Sequence, residues 1–464
     1  LAEPLLLRLR RWLEEPVDAA SLVALRVGFG LLMAGGAARF VLSGWVDTLF
    51  VQPRFHFHYP GFHWLEPWSS AGLVYAHYAV IFASALGMAF GAFYRVSGAL
   101  FVLSFASAQL WDLTNYLNHY YLAVLLGGLL TVLPAHRCFS VDAWRKPALR
   151  SSTVPRAAIA LLRFQVGCVY FYAGLAKLGA DWLLHGQPLG IWLSQRDELP
   201  FLGALAHIPA APVVMSWAGF LYDLTIPLWL SLPKIRLAAY VVLLVFHGVT
   251  WALFEIGLFP FIMSLSALIF FSPGWPRGLL HRLRLRASAR CPEESPRSSA
   301  AAPARRLPTF TYALAALYCA TQLLVPLRHF AVGGQVLWDE VGMRWSWKVM
   351  VRSKKGSVTY RVREKGGSRD REVNPLEYLE MRQLNEMASQ PDMILQLARH
   401  IARDRERFGE TPLEVRADVF VSLNGRRAQR LIDPHVDLAT ARDAVWQVPS
   451  WVLPPPTTPP LAAR

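Results

Sequence analysis

The chain has 464 residues, of which 54% are apolar, 12% aromatic and 17% charged, with a net charge of +15. Soluble domains carry about 25% charged residues, so this composition excludes a water-surrounded globule for most of the length, as well as a disordered chain, a coiled coil and a disulfide-stapled secreted domain. The shortage is uneven: positions 1–327 hold 40 charged residues, while the remaining 137 positions hold 39. The first part has membrane composition and the second that of an ordinary soluble domain.

In chain order, apolar runs occur at 21–36, 72–92, 96–110, 119–133, 157–176, 213–232, 237–254, 257–271 and 309–325. They predict an α-helical integral membrane protein, a polytopic bundle of about nine transmembrane helices, although several runs fall short of the roughly 20 residues that span a bilayer. With nine spans and a cytoplasmic N-terminus, the cytoplasmic connections collect 19 Lys and Arg residues, whereas the opposite side has Arg39, Arg54, Lys177 and Arg196. That bias satisfies the positive-inside rule and puts everything from Arg328 onward outside the cytoplasm. The positive charge is therefore topological and not a nucleic-acid footprint. Cys138 and Cys291 fall in cytoplasmic connections and Cys168 and Cys319 in spans, so no disulfide framework supports the outer part. No cleavable signal peptide is visible, the first run can itself direct insertion, and a start at Leu1 reads as a trimmed N-terminus.

This divides the chain into a membrane domain over 1–327, an α+β extracytoplasmic domain over 328–453 and a proline-rich tail over 454–464 with no core to join. The first includes a basic cytoplasmic linker at about 277–308, rich in Ser, Ala, Pro and Arg from 287 on. In the outer domain, 357–363 alternates like a strand, and 374–408 has helical spacing opened by Asn374-Pro375. Runs 415–423 and 428–432, joined at Asn424-Gly425, predict a hairpin.

Ionisable groups at membrane depth are costly, so each is a functional-site candidate. Arg26 falls in the first run, Arg163 in the fifth and His247 in the seventh; Lys177 closes the fifth just before Asp181-Trp182, and His119 opens the fourth after Asn118. On spacing alone these residues describe a polar cavity in a helical bundle; a lysine at a helix end otherwise snorkels to headgroups, and a buried histidine bonds a neighbouring helix. His56, His58 and His63 in RFHFHYPGFHW have spacing suited to metal ligands, but no Cys or carboxylate completes a set, and the aromatic density suits an interfacial loop. The expectation is no metal. Nor is there a phosphate loop, zinc-protease helix or nucleophile elbow.

The segment LLRFQVGCVYFYAGLAKLGADW (161–182) resembles the vitamin K-dependent γ-glutamyl carboxylase family, with its HTTM-type membrane domain. Further segments look like the same family in the same order: ALGMAFGAFYRVS (85–97), LNHYYL (117–122), FSVDAW (139–144), ALFEIGLFPFIM (252–263), SPGWPRGLL (272–280), WSWKVMVRS (345–353) and VFVSLNGRRAQRLIDPHVDL (419–438). The last two lie outside the membrane region, where proteins sharing only the membrane module would not be expected to match.

The resemblance implies carboxylation of glutamate side chains to γ-carboxyglutamate with CO2, coupled to oxidation of vitamin K hydroquinone (or a bacterial menaquinol) by O2 to the 2,3-epoxide. The cofactor carries the hard chemistry and the protein supplies binding, orientation and electrostatics. Lys177 matches the family's catalytic base, a role that needs a neutral amine, and His119 the histidine that orients the cofactor oxygen or stabilises its charge. Asn118, Arg163, His247 and Arg26 are expected around the cofactor, with Arg163 close to Lys177; Trp345 and Trp347 are expected along the passage from the outer domain. The implied partners are a Glu-containing exported protein or peptide and membrane lipid. The composition suggests a bacterial plasma membrane. Ala176 stands where animal members carry a first lysine, and the chain stops soon after Trp451 whereas animal enzymes continue, which leaves the protein substrate open. Two alternatives also stay open: a non-carboxylating quinone-binding membrane protein, and a quinol epoxidase uncoupled from carboxylation.

Overall fold

The computed structural model describes residues 4–200, 203–254, 256–283, 307–408, 413–443 and 446–460. The membrane part is built from α1 (Ala20–Leu42), α2 (Ala71–Phe90), α3 (Tyr94–Leu110), α4 (Asn118–Val132), α5 (Arg156–Leu175), the short α6 (Ala180–Leu183), α7 (Ala211–Ser231), α8 (Arg236–Leu253), α9 (Phe259–Ala267) and α10 (Thr309–Leu324). Local signals set the ends. Ser70 Oγ accepts the Leu73 amide at the start of α2, and Gly91 closes that helix at φ 62°, a left-handed position open to glycine. Pro212 and Pro260 sit in the first turns of α7 and α9, where a missing amide costs nothing.

All nine expected runs are helical, but nine spans are not confirmed by helix length and composition. Among the described residues six helices are long and apolar enough to cross a membrane: Ala20–Leu42, Ala71–Phe90, Arg156–Leu175, Ala211–Ser231, Arg236–Leu253 and Thr309–Val332. Phe259–Phe270 and Trp275–Arg282 add a seventh if that pair, bent by 96°, is one span. Helices α3 and α4, with 17 and 15 residues, are short for a bilayer. The outward faces of the bundle carry exposed Leu103, Leu228, Leu237, Val245 and Leu317, as a lipid-facing surface does. Inside, small residues let backbones approach: a Cβ on Gly30 of α1 would lie 2.6 Å from Ala85 O of α2.

The outer part is a four-stranded antiparallel sheet in the order β2–β1–β3–β4, formed by β1 (Lys354–Glu364), β2 (Arg371–Val373), β3 (Leu413–Leu423) and β4 (Gln429–Arg430). The central pair runs from Lys354 opposite Leu423 to Glu364 opposite Leu413. Helix α12 (Pro391–Arg407) lays its apolar stripe of Ile394, Leu397, Ala398 and Ile401 against the sheet's Tyr360, Val415 and Val419. The hairpin expected at Asn424-Gly425 is present, with both residues at positive φ.

Three expectations change. The helical stretch at 374–408 is broken: after a short turn come α11 (Met381–Met387) and α12, because Pro391 cannot continue the first helix. The histidine-rich loop is only partly a surface: Phe57 and Tyr59 are buried in the outer domain's core, while His63 and Trp64 stay exposed. Gln396 pairs there with both backbone groups of His58 (2.9 and 3.0 Å), and Gln383 bonds Phe55 O and Asp112 Oδ2 (both 2.8 Å). The proline-rich tail does join a core as far as it is described, with Pro456 and Pro460 buried. Most of the linker expected at 277–308 lies outside the described residues.

Candidate functional site

Lys177 sits just past α5, whose last turn directs it inward: its amide closes on Gly174 O at 2.9 Å and its Nζ donates to Ala173 O at 3.1 Å. The partner that completes the site comes from α7. Asp223 Oδ2 lies 2.7 Å from Lys177 Nζ, and each residue is only 5% exposed. The two helices come close enough because position 174 is glycine: a Cβ there would stand 3.0 Å from Leu224 N. The Trp182 ring lies 5.2 Å from Nζ and is itself fixed by an Nε1 hydrogen bond to Ser216 O at 2.7 Å. A cation in an apolar bundle is thus satisfied by a carbonyl, a carboxylate and an aromatic face.

A second group continues from this pair. Tyr170, on α5 seven residues before Lys177, has its hydroxyl 2.8 Å from His247 Nε2. Its ring meets that of Tyr222, the neighbour of Asp223, edge-on at 5.9 Å, and Tyr222 stacks on Phe246 at 3.9 Å. Phe259 bridges to His119, with ring centroids 6.1 Å from His247 and 6.2 Å from His119. His119 Nε2 faces Gly257, where a Cβ would come to 3.4 Å. Among the described residues the buried His119 makes no hydrogen bond through its ring, and His247 Nδ1 and Trp347 Nε1 are buried without a partner. A buried polar atom without a protein partner is one that a ligand oxygen can satisfy.

The expected arginines are elsewhere. Arg26 gives its guanidinium to the carbonyls of Ala135 (2.9 Å), Cys138 and Phe139, tying α1 to the loop that follows α4. Arg163 donates to Ile269 O (2.9 Å), Phe270 O (3.2 Å) and Phe271 O (3.0 Å), tying α5 to the end of the α9 segment. Arg163 does not adjoin Lys177; fourteen residues along a helix separate them by about 21 Å.

Asn118 faces the outer domain: Tyr116 donates to Asn118 Oδ1 at 3.0 Å and accepts the Trp345 amide at 2.7 Å. Trp347 is fully buried and stacks on Tyr121 of α4 at 4.9 Å. Trp345 lines a cavity of about 390 Å³ with Tyr59, Phe62, Arg328, Arg344 and Trp451 at the junction of the two parts. The backbone between them is unusual. Glu340, Trp345, Trp347 and Met350 all hold positive φ (65°, 60°, 55° and 53°), conformations that non-glycine residues adopt only under constraint. Two of the three histidines face acids within the fold, His56 Nδ1 3.2 Å from Asp112 and His58 Nε2 3.6 Å from Glu66, while the exposed His63 meets the His58 ring edge-on at 5.7 Å. Among the described residues no three His, Cys, Asp or Glu side chains form a metal-sized cluster.

Sequence reasoning missed Asp223. The signal was present, a single acid inside the apolar run 213–232, and the rule that singled out Lys177 applies to it equally. Tyr170 and Tyr222 carried no signal of their own.

Comparison with known proteins covers both parts of the chain. A family model for the HTTM domain matches residues 14–275, and a model for the vitamin K-dependent gamma-carboxylase lumenal domain matches residues 307–458. No solved structure matches the chain.

Proposed function

The chain belongs to the vitamin K-dependent γ-carboxylase family, and we propose that it carboxylates glutamate side chains of an exported protein or peptide with Lys177 as the initiating base. The observation that carries this reading is the buried Lys177–Asp223 pair at 2.7 Å in a chain matched on both its membrane and its lumenal side. Vitamin K hydroquinone, or a menaquinol, supplies through its oxidation by O2 to the 2,3-epoxide a base strong enough for the glutamate γ-hydrogen, and CO2 then adds at that carbon. The surroundings of His247 fit such a group, since its orphaned Nδ1 belongs to a ring packed among Tyr170, Phe246 and Phe259, with His119 on the far side of Phe259.

The protein's own part is proton handling and exclusion of water. A lysine acts as a base only when its amine is neutral. Transfer of one proton from Nζ to Asp223 Oδ2 gives that neutral amine without leaving an isolated charge in the bundle. His119 and His247 orient cofactor oxygens, His247 being held by Tyr170. Arg26 and Arg163 act by holding helix ends so that the enclosure keeps its shape. Trp347 and Asn118 seal the bundle beneath the outer domain, and the cavity around Trp345 receives the peptide. Carbanion and strong base are both quenched by water, so helical walls facing lipid are physically apt. The Lys and Arg bias supports an extracytoplasmic outer domain in a multi-pass plasma-membrane protein, with a lipophilic quinol entering from the bilayer.

The test is ¹⁴CO2 incorporation into a Glu-containing peptide by purified protein with vitamin K hydroquinone and O2, with epoxide measured in the same tube, beside Lys177→Ala. Incorporation and epoxide that both vanish in the variant are expected. Epoxide without incorporation indicates an uncoupled epoxidase. Quinol binding with neither product overturns the reading in favour of a binding protein.

A further inference from the structure

Four residues beyond Lys177, Asp181 leaves the membrane part and is grasped by the outer domain. Arg426 donates Nη1 to Asp181 Oδ2 and Nη2 to Asp181 Oδ1, both at 2.6 Å, and Asn424 Nδ2 donates to Oδ2 at 2.9 Å. Both donors sit on the tight turn between β3 and β4. The turn is rigid: Asn424 is fully buried, its amide donates to Ser353 O and its Oδ1 accepts the Ser353 amide, each at 2.8 Å. Arg426 Nε is held by Thr458 O at 2.7 Å. A planar guanidinium fixed on three sides and paired bidentately is a positional device, since lysine cannot reproduce its fork.

What it positions is α6. Asp181 and Trp182 are adjacent on this single turn, and the Trp182 ring covers the Lys177 amine at 5.2 Å. On its other side α6 rests on α7 through Trp182 Nε1 to Ser216 O (2.7 Å) and Trp217 Nε1 to Leu183 O (3.0 Å). The turn is therefore clamped between the helix that supplies Asp223 and the hairpin of the outer domain. Helix α6 is too short to hold its own place, so its location depends on these contacts.

We propose that Arg426, supported by Asn424, is a positioning residue for Lys177, acting through Asp181 and Trp182 to keep the amine covered and matched to Asp223. This makes the outer domain part of the lysine's environment as well as a platform for peptide. The proposal rests on the reading of Lys177 as the base, but its physical content, control of the amine by a remote arginine, can be measured without turnover. The clamp is not a pH switch near neutrality. Burial pushes the Asp181 carboxyl up, but Arg426 and Asn424 outweigh it and hold it below the ordinary carboxylate range. A depressed carboxylate contributes stability above its unfolded value of about 3.9, and loses it only as pH falls through the lower folded value.

The experiment is acetic anhydride labelling of Lys177 in the full-length protein in detergent from pH 6 to 10, read by mass spectrometry for wild type, Arg426→Gln, Arg426→Lys and the exchanged pair Asp181→Arg/Arg426→Asp. Losing the clamp raises the open population, so about tenfold faster labelling is expected in Arg426→Gln, with Arg426→Lys between and the exchanged pair moving back toward wild type. Unchanged labelling in a folded Arg426→Gln overturns the proposal. If Arg426→Gln fails to fold, Arg426→Lys decides by the same criterion. In the turnover assay a fall in kcat at constant peptide KM supports action on the lysine, whereas a rise in peptide KM alone assigns Arg426 to peptide binding and overturns it. A wild type with no turnover counts against the carboxylase reading and leaves the labelling comparison intact.

Discussion

Two kinds of cation occur within this bundle, and they are satisfied differently. Arg26 and Arg163 spend their guanidinium groups on backbone carbonyls, those of the loop Ala135 to Phe139 for one and of the segment end Ile269 to Phe271 for the other. Lys177 shares its ammonium between Ala173 O and the Asp223 carboxylate. A carbonyl accepts a hydrogen bond but no proton at ordinary pH, and a guanidinium does not give one up. An amine and a carboxylate can exchange one. On the proposed reading, charge at membrane depth marks chemistry where its partner can take up a proton, and serves structure where the partner is backbone.

The comparison breaks most sharply at Lys177. Lys177→Ala is expected to lower both epoxide and γ-carboxyglutamate formation about 10³-fold, the scale of a lost general base. Asp223→Asn keeps shape and hydrogen bonding but cannot take the proton, so a loss of about 10²-fold is expected, with Asp223→Glu recovering part of it. The same variant leaves the buried ammonium without its counter-charge, which costs about 3–5 kcal/mol of stability and shows as a lower melting temperature. An Asp223→Asn protein that turns over at the wild-type rate would falsify the proton-exchange account and move Asp223 to the structural class.

Sequence alone exposes the lysine but not its partner, and the reason is physical. Apolar runs and Lys and Arg bias are properties of single segments, so the helices and the hairpin at Asn424-Gly425 are legible, as is the strand at 357–363. Span count is not, because α3, α4 and the bent pair after α8 fall at or below bilayer length and their state depends on neighbours. The site is a meeting of α5, α7, α8 and α4, and which polar groups meet is fixed by close backbone approaches such as that at Gly174. Arg163 and Lys177 lie on one sequence motif, yet helical rise carries them apart, while Asp223, distant in sequence, is in contact with the lysine. The histidine-rich loop is ambiguous for a related reason: aromatic density suits a membrane interface and a protein core equally, and here a core covers Phe57 and Tyr59 while Trp64 stays exposed.

His119 sharpens the contrast from the other direction, as a buried ring without a hydrogen-bond partner among the described residues. Replacement by Gln removes no bond within the protein, so stability should change by about 1 kcal/mol or less. Its ring nitrogens are free for a ligand beside Gly257, and turnover with an apparent rise in quinol KM should fall about tenfold, the loss of one charge-assisted hydrogen bond. A large drop in melting temperature with unchanged quinol KM would place His119 among the structural residues.

The smallest effect on chemistry is expected where sequence reasoning placed cofactor contacts. Arg163→Gln and Arg26→Gln each remove charge-assisted hydrogen bonds to buried carbonyls, and each lost bond costs about 1.5–3 kcal/mol. The carbonyls left behind belong to chain ends that no helix can satisfy, so melting temperature and yield should fall in both variants. Turnover per folded molecule should stay within about twofold, because neither guanidinium adjoins the Lys177–Asp223 pair and a structural loss of this kind alters the folded fraction, not the barrier. Arg163→Lys is the discriminating partner variant: it keeps the charge but cannot span three successive carbonyls, so it should share the stability loss of Arg163→Gln. Full rescue by lysine would mean that the positive charge itself is used, and Arg163 would join Lys177 on the chemical side of the comparison.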